Sequence, residues 1–213
     1  PAPIDTSIIP TKASFVEIYN ESVRDLITGN DCSCRFDGNT CRLDGSTTHQ
    51  VTSSEAVHRL LAQANEHRAI GETKINNRSS RSHSVFILKI NGRCANETVS
   101  GVLSLVDLAG SERVEKSQVS GERLRETQNI NKSLSYLGDV IQALSLKQQH
   151  VPYRNSTLTK LLSESLGGQS KTLMFVNINP LNEMLSETIS SLRFAAKVNK
   201  CSAGTAARSF KPA

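Results

Sequence analysis

Leu103-Ser-Leu-Val-Asp-Leu-Ala-Gly-Ser-Glu112 is the stretch on which the fold turns. Leu103 to Val106 is apolar without alternation, which predicts a buried parallel strand. Asp107 then falls at the carboxyl end of that strand, where open α/β sheets place ligands. Gly110 offers a backbone N–H that a phosphate can approach closely. Two readings follow: a core strand ending in a helix cap, or an acid–glycine pair that serves Mg²⁺ and a nucleotide phosphate. The flanking sequence has to choose between them.

On one side stands Asn76-Asn-Arg-Ser-Ser-Arg-Ser-His83. Such a loop can place Ser oxygens on Mg²⁺ and Arg donors near a phosphate. Taken alone it also suits a plain polar loop, or a basic Ser/Arg stretch touching nucleic acid. Beside Asp107 to Glu112 it supplies what a γ-phosphate sensor needs: a serine-bearing loop for the metal, and an Asp–Gly pair for metal and phosphate. Arg81 and Glu112 form a natural ion pair, worth little on an open surface but able to act as a latch in a closed, drier site.

Composition narrows the classes. The chain has 213 residues, enough to bury a core, with 21% charged and 37% hydrophobic residues. No apolar run reaches the roughly 18 residues of a membrane span, and Pro1-Ala-Pro-Ile-Asp5 is not a signal peptide. The net charge of +5 is mild, and an aromatic content of 4% without Trp argues against base-stacking platforms. Five cysteines without a secretory signal read as reduced intracellular thiols. Cys32, Cys34 and Cys41, with His49 as the only near fourth ligand, do not match zinc spacing and read as an exposed loop.

Strands and helices interleave, giving an α/β class with a parallel or mixed sheet. Ser14 to Tyr19 alternates as a strand, and Asn20 to Ile27 predicts a turn and short helix closed by Gly29. Residues 30–50 read as an exposed hairpin or loop. Thr52-Ser-Ser-Glu55 is a capping-box pattern opening a helix whose apolar face is Val57, Leu60, Leu61 and Ala64. Strands follow at Ser84 to Gly92 and Val102 to Asp107. Ile130, Leu134, Leu137, Ile141 and Leu144 mark a long amphipathic helix from Glu122 to about Leu146. Ser156 caps a short helix through Leu166, Lys171 to Ile178 predicts a last buried strand, and Ser186 caps a final helix to about Val198 or Lys200. Residues 202–213 read as a loose tail.

With these motifs in order, the chain resembles kinesin motor domains over nearly its whole length. Asn76 to His83 resembles their switch I and Asp107 to Glu112 their switch II. Phe15-Val-Glu-Ile-Tyr-Asn-Glu21 is similar to their central strand, and Asn129-Ile-Asn-Lys-Ser-Leu134 with Leu137-Gly138 to their switch II helix. His150-Val-Pro-Tyr-Arg154, Leu158 through Gly168, and Leu192-Arg-Phe-Ala-Ala196 are similar to the elements that follow. The resemblance implies a P-loop NTPase-like motor fold, a central mixed sheet flanked by helices, in residues 1–201. It implies ATP and Mg²⁺ as ligands. Ser79 and Ser80 would lie on the metal and γ-phosphate side, Asp107 would hold Mg²⁺ through water, and Gly110 would donate to the γ-phosphate. Arg81 and Glu112 would position the attacking water, and Asn131 would sense closure.

The resemblance also implies microtubules as the partner. Lys132, His150, Tyr153, Arg154 and Lys160 match the tubulin-facing side, where cations act on acidic tubulin by long-range attraction. Arg113 to Lys160 holds eight Lys/Arg against four Asp/Glu, so the local surplus is modest. Many kinesins carry a basic residue where Thr157 stands, which implies weaker attraction here. Glu122 to Gln128 and Leu137-Gly-Asp-Val-Ile141 resemble the C-terminal-motor, minus-end-directed class. Cytoplasmic microtubules, the spindle among them, a coiled-coil dimer partner reached through an upstream stalk, and neither nucleic acid nor membrane complete the expectation.

No Gly-x-x-x-x-Gly-Lys-Ser/Thr occurs. Gly167-Gly-Gln-Ser-Lys-Thr172 is a decoy, because Ser170 stands where Gly must precede Lys and a strand rather than a helix is predicted next. The expectation is therefore a chain that begins inside a motor domain, past the P-loop and its first strands. Without the strand between Val102 and Thr172, the sheet would expose edges and an apolar face. The isolated chain would then fold poorly and be inactive. A nucleotide-silent microtubule-binding module is the alternative; the four residues Ser80, Arg81, Gly110 and Glu112 together argue against it.

Overall fold

The computed structural model describes residues 11–72, 78–94, 97–111, 122–167, 170–201 and 210–212. The chain divides into two units: residues 1–33, 43–109 and 207–213, and residues 34–42 and 110–206.

The first unit is built on a sheet around β1 (Thr11–Tyr19). β1 pairs antiparallel with β2 (Ser22–Asp25), with β5 (His49–Val51) and with β6 (His83–Cys94). β3 (Asp31–Phe36) and β4 (Cys41–Asp44) extend the order on one side, β7 (Glu97–Asp107) and β8 (Phe210–Pro212) on the other: β4-β3-β2-β1-β6-β7-β8. The central place of β1 explains why Phe15, Val16, Glu17 and Ile18 are all buried, although the segment alternates in sequence. One helix, α1 (Ser54–Glu72), contributes Val57, Leu60, Leu61 and Ala64 to a core with Phe15, Leu26, Ile27 and Phe86. Phe15 and Phe86 meet edge to face, with ring centres 5.8 Å apart. The N-terminal cap of α1 is Ser53, one residue past the expected Thr52, its hydroxyl accepting from the Ala56 N–H at 3.2 Å.

Four sequence expectations differ from the structure here. Asn20 to Ile27 forms no helix: Asn20 and Glu21 both take positive φ (51° and 65°), making the two-residue turn whose twist suits a hairpin into β2. Leu103 to Val106 is not a buried parallel strand. It pairs antiparallel with β6, Leu105 against Phe86, and Leu105 is 53% exposed. The described pairings are all antiparallel, so the expected mixed sheet is not seen among them. A run apolar on both faces signals burial only if something covers both faces, and sequence cannot supply the cover. Phe210 to Pro212, read as tail, adds a strand against Glu97 to Val99.

The second unit centres on α2 (Glu122–Ser145), whose buried face is Ile130, Ser133, Leu137, Val140, Ile141 and Ala143. It packs against α3 (Thr157–Leu161) and α5 (Leu185–Asn199). α4 (Ser163–Leu166) follows α3 after one residue. Ser156 and Thr159 cap α3 reciprocally, each backbone N–H bonding the other's hydroxyl at 3.1 Å. Lys171 to Ile178, expected as a buried strand, makes no strand, and Phe175 is 81% exposed. Its β-forming composition is real; a ladder also needs a neighbour, and no described strand pairs with it.

Candidate functional site

The loop before β6 is a 3-10 turn, Arg78–Arg81, which puts Ser80 and Arg81 half-buried ahead of Ser82 and His83. β6 and β7 are in register with Ser84 opposite Asp107, so the loop entering β6 and the loop leaving β7 lie at the same end of the sheet. The side chain of His83, 3% exposed, ties them: its Nδ1 accepts the Ala109 N–H at 3.0 Å. That bond fixes the neutral tautomer with the proton on Nε2. Burial pulls His83 down to about 4, against an upward pull from the Asp107 charge, so the ring stays neutral at physiological pH.

A third element reaches the same place. From the last turns of α1, Arg68 sends Nη1 to Asp107 Oδ2 at 3.3 Å and Nη2 to Ser82 Oγ at 3.5 Å. Arg68 is 14% exposed and Asp107 71%, so the guanidinium is sheltered while the carboxylate keeps an open side. Sequence reading missed both His83 as a staple and Arg68 as an anchor. His83 was visible within the Asn76 to His83 motif, but Arg68 carried no signal, being one cation on a helix 39 residues from its partner.

The structure thus brings Ser80, Arg81 and Asp107 to one end of one sheet. Gly110 follows three residues after Asp107. Asn76 and Asn77, the side chain of Ser79, and Glu112 lie outside the described residues, so the Arg81–Glu112 pair does too. The donor set fits Mg²⁺: a hydroxyl and an exposed carboxylate are hard oxygen ligands, and such sites take most of their ligands from phosphate and water. Among the described residues no cluster of three or more His, Cys, Asp or Glu could hold a metal.

In the second unit, Lys132 projects from the exposed face of α2 with its Nζ 5.8 Å from the Tyr136 ring centre. Asn131 is half-buried beside it. His150 and Arg154 are exposed, and Tyr153 and Lys160 half-buried. Thr157, where a cation was thought absent, is buried in the first turn of α3, so its side chain is not part of the exposed surface. Tyr153 packs its ring on Phe36 at 6.3 Å, and its backbone oxygen accepts from Thr159 Oγ1 at 2.8 Å. A Cβ on Gly167 would stand 2.7 Å from Tyr153 Oη and 3.2 Å from Ser163 O. Gly167→Ala is therefore expected to cost about 1–3 kcal/mol by overpacking. Gly138→Ala, whose Cβ meets Phe194 at an ordinary 3.5 Å inside α2, is expected to be neutral or to stabilise by up to about 1 kcal/mol. Paired thermal melts separate the two; equal midpoints would contradict the Tyr153 contact.

The Cys34 and Cys41 sulfurs are bonded, with Cα atoms 6.1 Å apart, and Cys32 and Cys201 are free. The expectation of reduced thiols throughout is corrected at this pair, because the β3–β4 hairpin brings together two cysteines that are seven residues apart in sequence.

Comparison with known proteins gives the family. The family model described as the kinesin motor domain matches residues 5–201. The chain is 51% identical over 201 residues to the kinesin-like protein KIN-14L of Arabidopsis thaliana, covering 92% of this chain and 21% of that one. It is 50% identical over 204 residues to carboxy-terminal kinesin 2 of Xenopus laevis, covering 91% of this chain and 32% of that one. Among solved structures, the C-terminal motor and motor homology domain of Kar3Vik1, fused to a synthetic heterodimeric coiled coil, superposes with a TM-score of 0.79 at 50% identity. That match covers 89% of this chain and 51% of that one. The chain therefore spans about a fifth to a third of these curated relatives. With the family model matching almost end to end and half the residues identical to C-terminal kinesins, the chain belongs to the kinesin motor-domain family.

Proposed function

We propose that this chain is the switch-bearing and track-facing part of a microtubule motor of the C-terminal, minus-end-directed class, whose whole protein couples ATP hydrolysis to microtubule movement or binding. The observation that carries the reading is the stapled pair of loops. His83 Nδ1 and the Ala109 N–H join the serine-bearing turn to the Asp107–Gly110 loop, so a change at one is felt at the other.

In this reading Ser80, with Ser79 beside it, and Asp107, through water, hold Mg²⁺, which when bound neutralises phosphate charge. Gly110 donates its backbone N–H to the γ-phosphate, and Arg81 and Glu112 position the attacking water. Arg68 orients the Asp107 carboxylate from the far side. Asn131 on α2 senses closure of the loop. Lys132, His150, Tyr153, Arg154 and Lys160 face tubulin, the cations adding salt-sensitive attraction. The setting is cytoplasmic microtubules, the spindle included, with a coiled-coil partner through a stalk. Residues 1–201 form the motor portion. No geometry among the described residues favours the nucleotide-silent reading.

The test is Gly110→Ala in the full-length motor. A Cβ near the γ-phosphate and a displaced N–H are expected to lower microtubule-stimulated ATP turnover at least about 100-fold, the size of a lost transition-state donor. Pelleting with microtubules in the absence of nucleotide is expected to persist. Wild-type turnover would overturn the assignment. The 213 residues alone, which carry no P-loop sequence, are expected neither to bind ATP tightly nor to hydrolyse it; micromolar ATP binding with a sharp cooperative melt would contradict that.

A further inference from the structure

The hairpin of β3 and β4 carries chemistry that the motor reading leaves unused. Asp37 makes its turn, its carboxylate accepting the N–H groups of Asn39 and Thr40 at 2.8 Å each. Across the hairpin lie the bonded Cys34 and Cys41. The tip is docked on Ser163 and on Tyr153 and Arg154, the latter two proposed above as track-facing. Phe36 meets Tyr153 edge-on, the Asn39 carbonyl accepts from Ser163 Oγ at 3.1 Å, and an Arg154 nitrogen lies 3.6 Å from where a Cβ on Gly38 would stand. The Tyr153–Arg154 turn is therefore propped by the hairpin, and the sulfur bond closes the hairpin directly behind the prop.

The two thiols are suited to reversible oxidation. Both are half-buried rather than sealed. Their sulfurs lie within bonding reach of each other, whereas Cys32 and Cys201 are free. Cys32, two residues away, is in a different position: burial, with the Asp25 charge adding to it, pushes its thiol up and keeps it protonated. Disulfides in a reducing compartment are usually transient and regulatory.

We propose that Cys34 and Cys41 are a reversible oxidation site, a thiol clasp whose closure orders the hairpin tip and the Tyr153–Arg154 turn and so strengthens docking on an acidic protein surface, which under the motor reading above is tubulin. With hydrogen peroxide as oxidant, one cysteine thiolate attacks a peroxide oxygen. The O–O bond breaks, hydroxide leaves and is protonated to water, and a sulfenic acid remains. The second thiolate attacks that sulfur, the S–O bond breaks, and a second water leaves. In sum two thiols lose two electrons and two protons, and one peroxide becomes two waters. A dithiol reductant reverses the step by thiol–disulfide exchange.

The experiment compares full-length protein reduced by a dithiol with protein oxidised by stoichiometric hydrogen peroxide, alongside Cys34→Ser and Cys41→Ser. Three measurements are made: non-reducing peptide mapping, hydrogen exchange of residues 37–40 and 153–155, and co-sedimentation with microtubules. Expected are a Cys34–Cys41 cross-link, slower exchange at both segments when oxidised, and an apparent Kd about threefold or more tighter. Both serine variants should stay at the reduced value under either treatment. A cross-link through Cys32 or Cys201 instead, or a Cys34–Cys41 link that leaves exchange unchanged, overturns the proposal. So does binding that is measurable but equal in the two states. If the protein pellets with microtubules in neither state, the motor reading has failed on its own, and the exchange data still decide the clasp.

Discussion

Asp25→Ala is expected to destabilise the sheet unit by about 4 kcal/mol. Asp25 is fully buried, and its carboxylate accepts three backbone N–H groups: Ile27 at 2.7 Å, Thr28 at 3.2 Å and Thr47 at 2.6 Å. The first two close the turn after β2, and the third pins the chain entering β5. Removing the side chain strands the buried Ile27 donor and the part-buried Thr28 and Thr47 donors, each costing up to about 1–3 kcal/mol, less where water can enter. Asp25→Asn keeps one acceptor oxygen but turns an NH₂ group on one donor, so it should cost about half as much. Native-state hydrogen exchange reads the effect at the Ile27, Thr28 and Thr47 amides. Unchanged protection in Asp25→Ala would mean that the three bonds do not hold the hairpin. Burial pushes the Asp25 carboxyl up, but the bonds from Thr47, Ile27 and Thr28 together outweigh it and leave it below the usual value of 3.8. A depressed acid stabilises the fold above its unfolded value, and that stability is lost as the pH falls below about 3.8.

The second large effect lies higher on the pH scale. Acidification from pH 7 to 4 is expected to remove about 3 kcal/mol through His83 alone. The ring titrates at about 4 in the fold against 6.5 when unfolded, burial being the main cause. The unfolded chain therefore binds a proton that the folded chain refuses. Stability is complete above 6.5 and declines as the pH falls toward 4, where the folded ring protonates as well. The gap of 2.5 units at 1.36 kcal/mol each sets the size. The cause is local: a protonated Nδ1 cannot accept the Ala109 N–H. Urea midpoints followed by circular dichroism between pH 7 and 4 measure the decline. His83→Asn, which retains an acceptor oxygen, should flatten it above pH 4. An undiminished decline in that variant would place the proton elsewhere. Because the Asp25 window lies below 3.8 and the His83 window above 4, the two contributions separate on one titration.

Some of this molecule could be read without coordinates. The apolar stripe Val57, Leu60, Leu61 and Ala64 is the face that α1 buries, and the Ile130 to Ile141 spacing is the buried face of α2. Helical burial follows from periodicity because each residue's face is set by its own position in the turn. Motif order was enough to identify the family, since several short motifs in one order rarely arise otherwise. The turn at Asn20-Glu21 was misread because helix and hairpin signals compete over so few residues, and pairing with β1 decided between them.

The sequence by itself determined the family, the two helical faces and the residue types of the candidate site. Tertiary structure alone decided three things. Leu103 to Val106 became an antiparallel, exposed strand and Lys171 to Ile178 no strand at all, because a sheet's hydrogen bonds and cover come from other segments of chain. Arg68 became the partner of Asp107, and His83 that of Ala109, across separations that no local pattern encodes. Cys34 and Cys41 became a pair through the folding-back of one hairpin. Leu103 to Glu112 announces its acid and its glycine through residue type alone, whereas what holds that acid and staples its loop is a matter of distance through space.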